Sequence, residues 1–457
     1  MRHPQRRLSG AALLARTGLC LLAALAFGVA ALGAPAAAET EAQASVAPPD
    51  AANPAQDIVI EGLGFSKLIL SLEVDPKLAA SPDFRAIDPL LEKNLCWSGV
   101  FNLSGGGTRY CRINGTPSRV DMRLALTEEQ GKGVLRLYDS GPERLQLYQD
   151  ALPLDGTVDE DAIMAMVNRL TQRVTGQPGL LGSTLGFVLK QPGYAKVVVA
   201  TTTQGTRLRL LSHDRNINIL PRFNKEGTGM VYTVLGNRGS HVFYENLEPK
   251  DPKAIASFYL TPPGSLNSGG AFSPDGSKVI VTMSVNQNAD LFLFDLKNHT
   301  HTQITSRLGI ETQANWSPDG KQLLFVSDRS GSPQIYVMDL DTREDIRLTF
   351  DGLYNADPKW SPDGRFILFT KRVNGIDQIH IMDQYGENVR QVTYGNYTSE
   401  QAEWSPDGRQ IVFASNRSGE YKLYVVSADG SNLRRLTSTP RQFEENSPTW
   451  TTRHLVR

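Results

Sequence analysis

The chain has 457 residues, 40% of them hydrophobic, which is enough for two domains or one large repeat array with a substantial core. Its 47 basic and 48 acidic side chains nearly cancel. A formal charge of −1 lacks the basic excess by which nucleic-acid binders hold phosphates.

Taken in chain order, "MRHPQRR" is a basic opening, the run from Thr17 to Gly33 is apolar, and "APAAAET" supplies small residues for a cleavage site after Ala38. Residues 1–38 therefore read as a secretory signal. The other reading of the run is a single membrane anchor of near-spanning length, and the alanines just before Glu39 favour cleavage. Cys20 sits too early in the apolar run to be a lipidation site. Removing this segment takes away four arginines and no acid, moving the formal charge to about −5. It leaves Cys96 and Cys111, fifteen positions apart. In an oxidising compartment they suit one disulfide; the alternative is two buried free thiols.

Residues 39–56 are rich in Ala and Pro without periodicity and read as a disordered leader. From Asp57 the pattern changes. "DIVIEG" and "KLILSLEV" predict strands, and "DFRAIDPLLEKNLCWSG" predicts a helix and a turn. "VDMRLALT", "GVLRLYD" and "RLQLYQDALPL" alternate as half-buried strands do. A helix is predicted over about 159–175, with Ile163, Met166, Val167, Leu170 and Val174 on one stripe and Gly176 as its stop. Residues 57–178 thus form a small α/β domain, and "GQPGLLGS" marks its boundary.

The remainder, 183–457, is a repeat. Four Ser-Pro-Asp-Gly turns begin at Ser273, Ser317, Ser361 and Ser405, each 44 residues after the last. That period suits a four-stranded propeller blade. The aromatic residue before each turn extends the series to Phe223, Phe272, Trp316, Trp360, Trp404 and Trp450, which makes six blades. Residues 183–212 supply three strands without a first one, and "NSPTW" supplies a first strand alone. Joining them closes the ring and removes two open sheet edges. The fold expected is mainly β: a six-bladed β-propeller preceded by a small α/β domain. Asp275, Asp319, Asp363 and Asp407 occupy turn-forming positions and read as scaffold, not as a carboxylate site.

Catalytic patterns are missing from the sequence: it holds no nucleophile-elbow serine, no HExxH and no CxxC. His299 and His301 fall in an expected turn, and the glycines at 105–107 lack the following Lys-Ser/Thr of a phosphate loop. No metal or cofactor is expected. The residues that vary between blades lie where the chain enters each first strand, at one mouth of the channel. Five positions before the aromatics stand Asn218, Asn267, Glu311, Asn355, Ser399 and Glu445. The next positions hold Ile219, Ser268, Thr312, Ala356, Glu400 and Asn446. As single residues these are polar loop caps; as a ring they suit binding of a partner's loop or extended segment.

The signal segment, the small α/β domain, the junction "VNRLTQRVTGQPGLLGSTLGFVL" and six "W-SPDG" blades ending in "SPTW" together resemble the TolB family of the Tol–Pal system of Gram-negative bacteria. The resemblance implies a periplasmic, non-enzymatic binding protein concerned with envelope integrity and outer-membrane constriction during cell division. It implies that the propeller mouth binds the lipoprotein Pal through Asn218, Asn267, Glu311, Thr312, Asn355, Ser399, Glu400 and Asn446. It also implies that a first strand at Asp57, Ile58, Val59, Ile60 and Glu61 engages the inner-membrane protein TolA. The alternative is a periplasmic propeller that binds or hydrolyses glycan or peptide.

Overall fold

A computed structural model describes residues 67–456 apart from 105–109, 112, 114–116, 155–158, 206, 213–215, 238, 249–254, 263–266 and 287. The signal segment 1–38, the leader 39–56, the strand expected at Asp57–Glu61 and the glycines at 105–107 lie outside the described residues. No described helix is long and apolar enough to cross a membrane.

The N-terminal part is one sheet covered by helices. Its elements are β1 (Leu68–Val74), α1 (Pro76–Ala80), α2 (Pro82–Trp97), β2 (Phe101–Ser104), β3 (Met122–Glu129), β4 (Lys132–Asp139), β5 (Gln146–Pro153) and α3 (Glu160–Thr175). The strand order is β2-β1-β3-β4-β5, with β1 parallel to both of its neighbours. Both long helices begin on side-chain caps. The Ser81 hydroxyl accepts from the Phe84 amide, and the Asp159 carboxylate accepts from those of Asp161 and Ala162. Gly176, at φ 72°, ends α3 in the left-handed conformation. Ile163, Met166, Val167 and Leu170 of α3 are buried in one core with Phe84, Ile87 and Leu91 of α2 and Leu70, Leu124 and Leu137 of the sheet; Val174 packs at its margin. Cys96, at the end of α2, is bonded to Cys111, with a Cα–Cα distance of 5.5 Å.

Six four-stranded antiparallel sheets follow. Numbering blades by their inner strands, blade 1 begins with Ile217–Phe223, blade 2 with Asn267–Phe272, blade 3 with Glu311–Trp316, blade 4 with Asn355–Trp360 and blade 5 with Ser399–Trp404. Blade 6 takes its inner strand, Glu444–Thr451, from the far end of the chain and pairs it antiparallel with Thr184–Lys190. Each inner strand packs against the next around the ring. The repeated tryptophan helps fasten neighbours: Trp316 Nε1 donates to the Ala271 carbonyl of blade 2 (3.0 Å) and Trp404 Nε1 to the Lys359 carbonyl of blade 4 (3.3 Å).

The four Ser-Pro-Asp-Gly turns are self-contained. In each, the serine hydroxyl donates to the aspartate two residues on and accepts from the amide that opens the next strand. For Ser361 these partners are Asp363 (2.6 Å) and the Phe366 amide (3.0 Å). The glycines Gly276, Gly320, Gly364 and Gly408 all sit near φ 70°. One expectation shifts: His301 lies on the outer strand Thr300–Gln303 of blade 2, while His299 is in the turn before it. His299 rests on Phe258 and His301 on Phe292, so each imidazole is spent on an aromatic contact.

The sheet–helix unit touches the turn face of blade 5. Lys67 Nζ donates to Ser431 Oγ (2.7 Å), and Gln410 Nε2 to the Trp97 carbonyl (2.9 Å). The Trp97 ring carries the Arg434 guanidinium at 4.1 Å on one contact and Lys93 Nζ at 4.5 Å on another. Burial pulls the pKa of Lys67 down to about 8, against the opposing attraction of Asp429.

Candidate functional site

Every inner strand carries the same irregularity. Its pairing with the second strand shifts register in mid-strand, and one residue there is left-handed: Leu220, Gly269, Gln313, Asp357, Gln401 or Ser447. Five of the six are not glycine, so the fold, and not the residue type, imposes the conformation. The bulges link blade to blade. The Gln313 side chain accepts from the Asp357 amide (2.8 Å), and the Gln401 side chain accepts from the Ser447 amide (2.8 Å).

Inside the ring, charges span the channel. Arg222 of blade 1 reaches Asp357 of blade 4 (3.9 Å) and Glu403 of blade 5 (3.7 Å), and Lys359 bonds Asp357 at 2.6 Å. Burial raises the pKa of Glu403 despite the Arg222 and Lys359 charges. Blades 1 and 4 stand opposite each other in a six-blade ring, so Arg222 acts as a bar across it. Among the described residues no group of three His, Cys, Asp or Glu side chains is placed to hold a metal ion.

The ring of residues expected to line the mouth requires a correction. Asn218, Asn267, Glu311, Asn355 and Ser399, with Glu445 at the same position in blade 6, are buried at 0–1% exposure. Each opens an inner strand, and its partners come from its own blade or from the blade before it. Asn355 Nδ2 donates to Gln334 Oε1 and to the Asp351 carbonyl (both 2.9 Å), while the Thr349 hydroxyl donates to the same Gln334 oxygen (2.8 Å). Asn267 Nδ2 donates to the carbonyls of Ser240 (3.1 Å) and Pro262 (3.0 Å), and Asn218 Nδ2 to that of Asn216 (3.2 Å). The Ser399 and Ser415 hydroxyls bond at 3.2 Å. Glu311 pairs with Arg329 (3.3 Å), and burial raises its pKa. Glu445 accepts from the Leu423 amide (3.0 Å) and from the Thr437 and Thr439 hydroxyls, with Lys422 Nζ at 3.7 Å. These side chains hold the entry loops in place, while Asn267 Oδ1, Glu311 Oε2 and Asn355 Oδ1 are buried without a hydrogen-bond partner among the described residues. Of the other three, Thr312 accepts a bond from the Thr282 hydroxyl (3.2 Å), Asn446 is buried, and Thr312 and Glu400 are half-buried.

The side chains that do reach solvent on this face come from the loops between blades, a layer that spacing alone did not single out. Leu308, Phe350, Leu353 and Tyr394 are all exposed. Arginines stand at their margins: Arg329 lies over Tyr336 (3.9 Å), Arg372 over Tyr354 (4.1 Å) and Arg417 over Tyr397 (4.6 Å). The signal available in the sequence was a large apolar residue between two repeat blocks, where a loop between blades would ordinarily be polar.

Fold and site together define a closed six-bladed propeller scaffold, barred across its channel, with its variable side chains carried on one loop face. Residues 171–454 match the family described as the TolB beta propeller domain, and the chain belongs to the TolB family. It is 28% identical over 204 residues to the Tol-Pal system protein TolB of Wolbachia pipientis subsp. Culex pipiens (strain wPip), covering 43% of this chain and 46% of that one. It is 27% identical over 124 residues to the Tol-Pal system protein TolB of Helicobacter pylori (strain ATCC 700392 / 26695), covering 27% and 28%. The chain therefore spans half or less of the length of these relatives. In fold it is similar to the crystal structure of TolB from Acinetobacter baumannii, with a TM-score of 0.66, 24% identity, and coverage of 84% of this chain and 96% of that one.

Proposed function

We propose that this chain is a non-enzymatic, periplasmic protein-binding component of the Tol–Pal system, joining the outer-membrane lipoprotein Pal to the inner-membrane protein TolA in envelope integrity and constriction at division. Pal docks on the loop face of the propeller, and the segment Asp57–Glu61 engages TolA. The observation that carries this reading is the contrast within that face, where large apolar side chains stand in solvent above polar residues spent on internal bonds. Membership of the TolB family supports the same assignment, as does the likeness to Tol-Pal system proteins of other bacteria. The Arg222 bar supports docking on the face over passage of a ligand through the channel.

Calorimetric titration of the chain from residue 39 onward with the soluble domain of Pal from the same genome tests the reading. One-to-one binding is expected. Absence of heat with both proteins folded removes Pal as the partner and leaves the glycan- or peptide-binding alternative to be titrated next. A second titration with the C-terminal domain of TolA, using chains that start at residue 39 or at residue 67, tests the segment: only the longer chain should bind.

A further inference from the structure

Three successive blades place large apolar side chains in the same kind of loop, the one joining an outer strand to the next inner strand. Leu308 enters blade 3 at 91% exposure; Phe350 (75%) and Leu353 (83%) enter blade 4; Tyr394 (61%) enters blade 5. Single exposed hydrophobic residues are ordinary, but propeller topology gathers these on one side of one face. Two of the loops also touch these side chains: the Tyr394 hydroxyl donates to the Gln391 carbonyl (3.0 Å), and Arg347 lies over Phe350 (4.9 Å). The loops' conformation is fixed from below by Glu311–Arg329, by Asn355 and Thr349 on Gln334, and by Gln378, whose amide donates to the carbonyls of Gly395 (3.1 Å) and Tyr397 (2.9 Å).

The charges beside this crescent are nearly all spent. Arg307 pairs with Asp345 (3.2 Å) and Lys371 with Asp351 (2.5 Å). Arg329 and Arg417 occupy matching places at the end of the second strand in blades 3 and 5, and Arg372 stands one position earlier in blade 4. Arg329 is bonded to Asp345 and Glu311, and Arg372 to both oxygens of Asp377 (2.7 and 3.0 Å). Arg417 differs. It is held by the rings of Tyr397 (4.6 Å), Tyr424 (4.9 Å) and Phe413 (5.6 Å) and by the Ser415 hydroxyl (3.4 Å), with no carboxylate bonded to it among the described residues. Burial lowers its pKa, a sign that its charge is short of solvation. A guanidinium oriented by stacked rings and lacking an acid of its own is a preformed seat for a carboxylate.

We propose that Leu308, Phe350, Leu353 and Tyr394, with Arg417 at the blade 5 end, form the anchoring subsite of the loop face. Its occupant is a protein segment that lays at least two apolar side chains along the crescent and places an aspartate or glutamate on Arg417. The assignment rests on the reading of the loop face as the Pal surface. A polyanion or an anionic membrane fits less well, because the face leads with apolar side chains and Arg307, Arg329, Lys371 and Arg372 beside the crescent are already paired with acids.

The test is calorimetry with the soluble domain of Pal against the wild-type chain, Phe350→Ser/Leu353→Ser, Arg417→Gln and, on the turn face, Lys297→Ser. The first two variants should bind about ten-fold or more weakly, as anchor residues do, with unchanged melting temperatures, while Lys297→Ser binds like wild type. Raising salt should weaken wild type more than Arg417→Gln. If the serine pair lowers the melting temperature, Leu308→Ser in a separate loop gives the same readout. Wild-type binding that neither variant weakens overturns the crescent and leaves the Pal reading standing. Absence of wild-type binding removes both, so the two failures are told apart by the wild-type trace.

Discussion

On the turn face of the propeller the same four residues recur at 44-residue intervals, each serine and aspartate satisfied within its own turn. On the loop face the side chains divide into two layers: a buried polar layer that bonds within and between blades and repeats in part, with Thr349 on Gln334 and Thr393 on Gln378 44 residues later, and an apolar and arginine layer in solvent. The turn face is where the sheet–helix unit sits, through Lys67, Trp97 and Gln410. A place in the repeat therefore marks where a side chain stands, not whether it is spent on the fold or open to a partner.

The sharpest way to separate the two layers is Glu445→Ala. Lys422 is 1% exposed in its side chain and would lose the carboxylate it faces, as would Thr437 and Thr439. The expected cost is about 3–5 kcal/mol of unfolding free energy in urea titration, the loss typical of breaking a buried pair. A cost near zero would place Glu445 with the solvent layer and collapse the distinction.

Acid should act in the blade interior through His380. His380 is buried against Phe369 (5.7 Å), its ring nitrogen 3.1 Å from the Gln378 carbonyl, and burial lowers its pKa to about 4. Below the ordinary value of 6.5 the unfolded chain takes up a proton that the folded imidazole refuses. Stability present above pH 6.5 is therefore lost as pH falls towards 4, by up to about 3 kcal/mol. Urea titrations at pH 7 and pH 4.5 should show the wild type losing more stability than His380→Phe.

A smaller effect belongs to the turns. Ser361→Ala removes one hydroxyl from the Asp363 and Phe366 bonds and should cost about 1–2 kcal/mol without changing partner affinity. Smallest of all, Leu353→Ser should change stability by less than about 0.5 kcal/mol, because its side chain is 83% exposed. Equal destabilisation by these two changes would mean that Leu353 packs against its own loop.

The six blades, the joining of both ends in blade 6 and the structural role of the turn aspartates were legible because each follows from a period, a turn chemistry and the need to cover sheet edges. The ring at Asn218, Asn267, Glu311, Asn355 and Ser399 was legible in position but not in direction. A strand with a mid-course bulge does not keep simple alternation, and nothing about Gln313, Asp357, Gln401 or Ser447 announces a left-handed backbone. A clue is present in matched polar residues where one blade meets the next, such as Gln334, Thr349 and Asn355, a set able to hydrogen-bond within itself away from water. The exposed crescent is not legible in a ring of polar positions, because its mark is large apolar residues in loops that would ordinarily be polar.

Blade 6, assembled from Glu444–Thr451 and Thr184–Lys190, makes the ring a timed object. Bringing together strands some 250 positions apart carries a large share of the loop-closure entropy, and such long-range pairing is slow to form. Until the final strand arrives, the apolar edge "TLGFVLK" lacks its inner neighbour and can accept a strand from another chain. A nascent or clipped copy is thus sticky while a finished one is not. The strand Glu444–Thr451 acts as the clasp that turns five stacked blades and a loose three-stranded sheet into a single rigid ring.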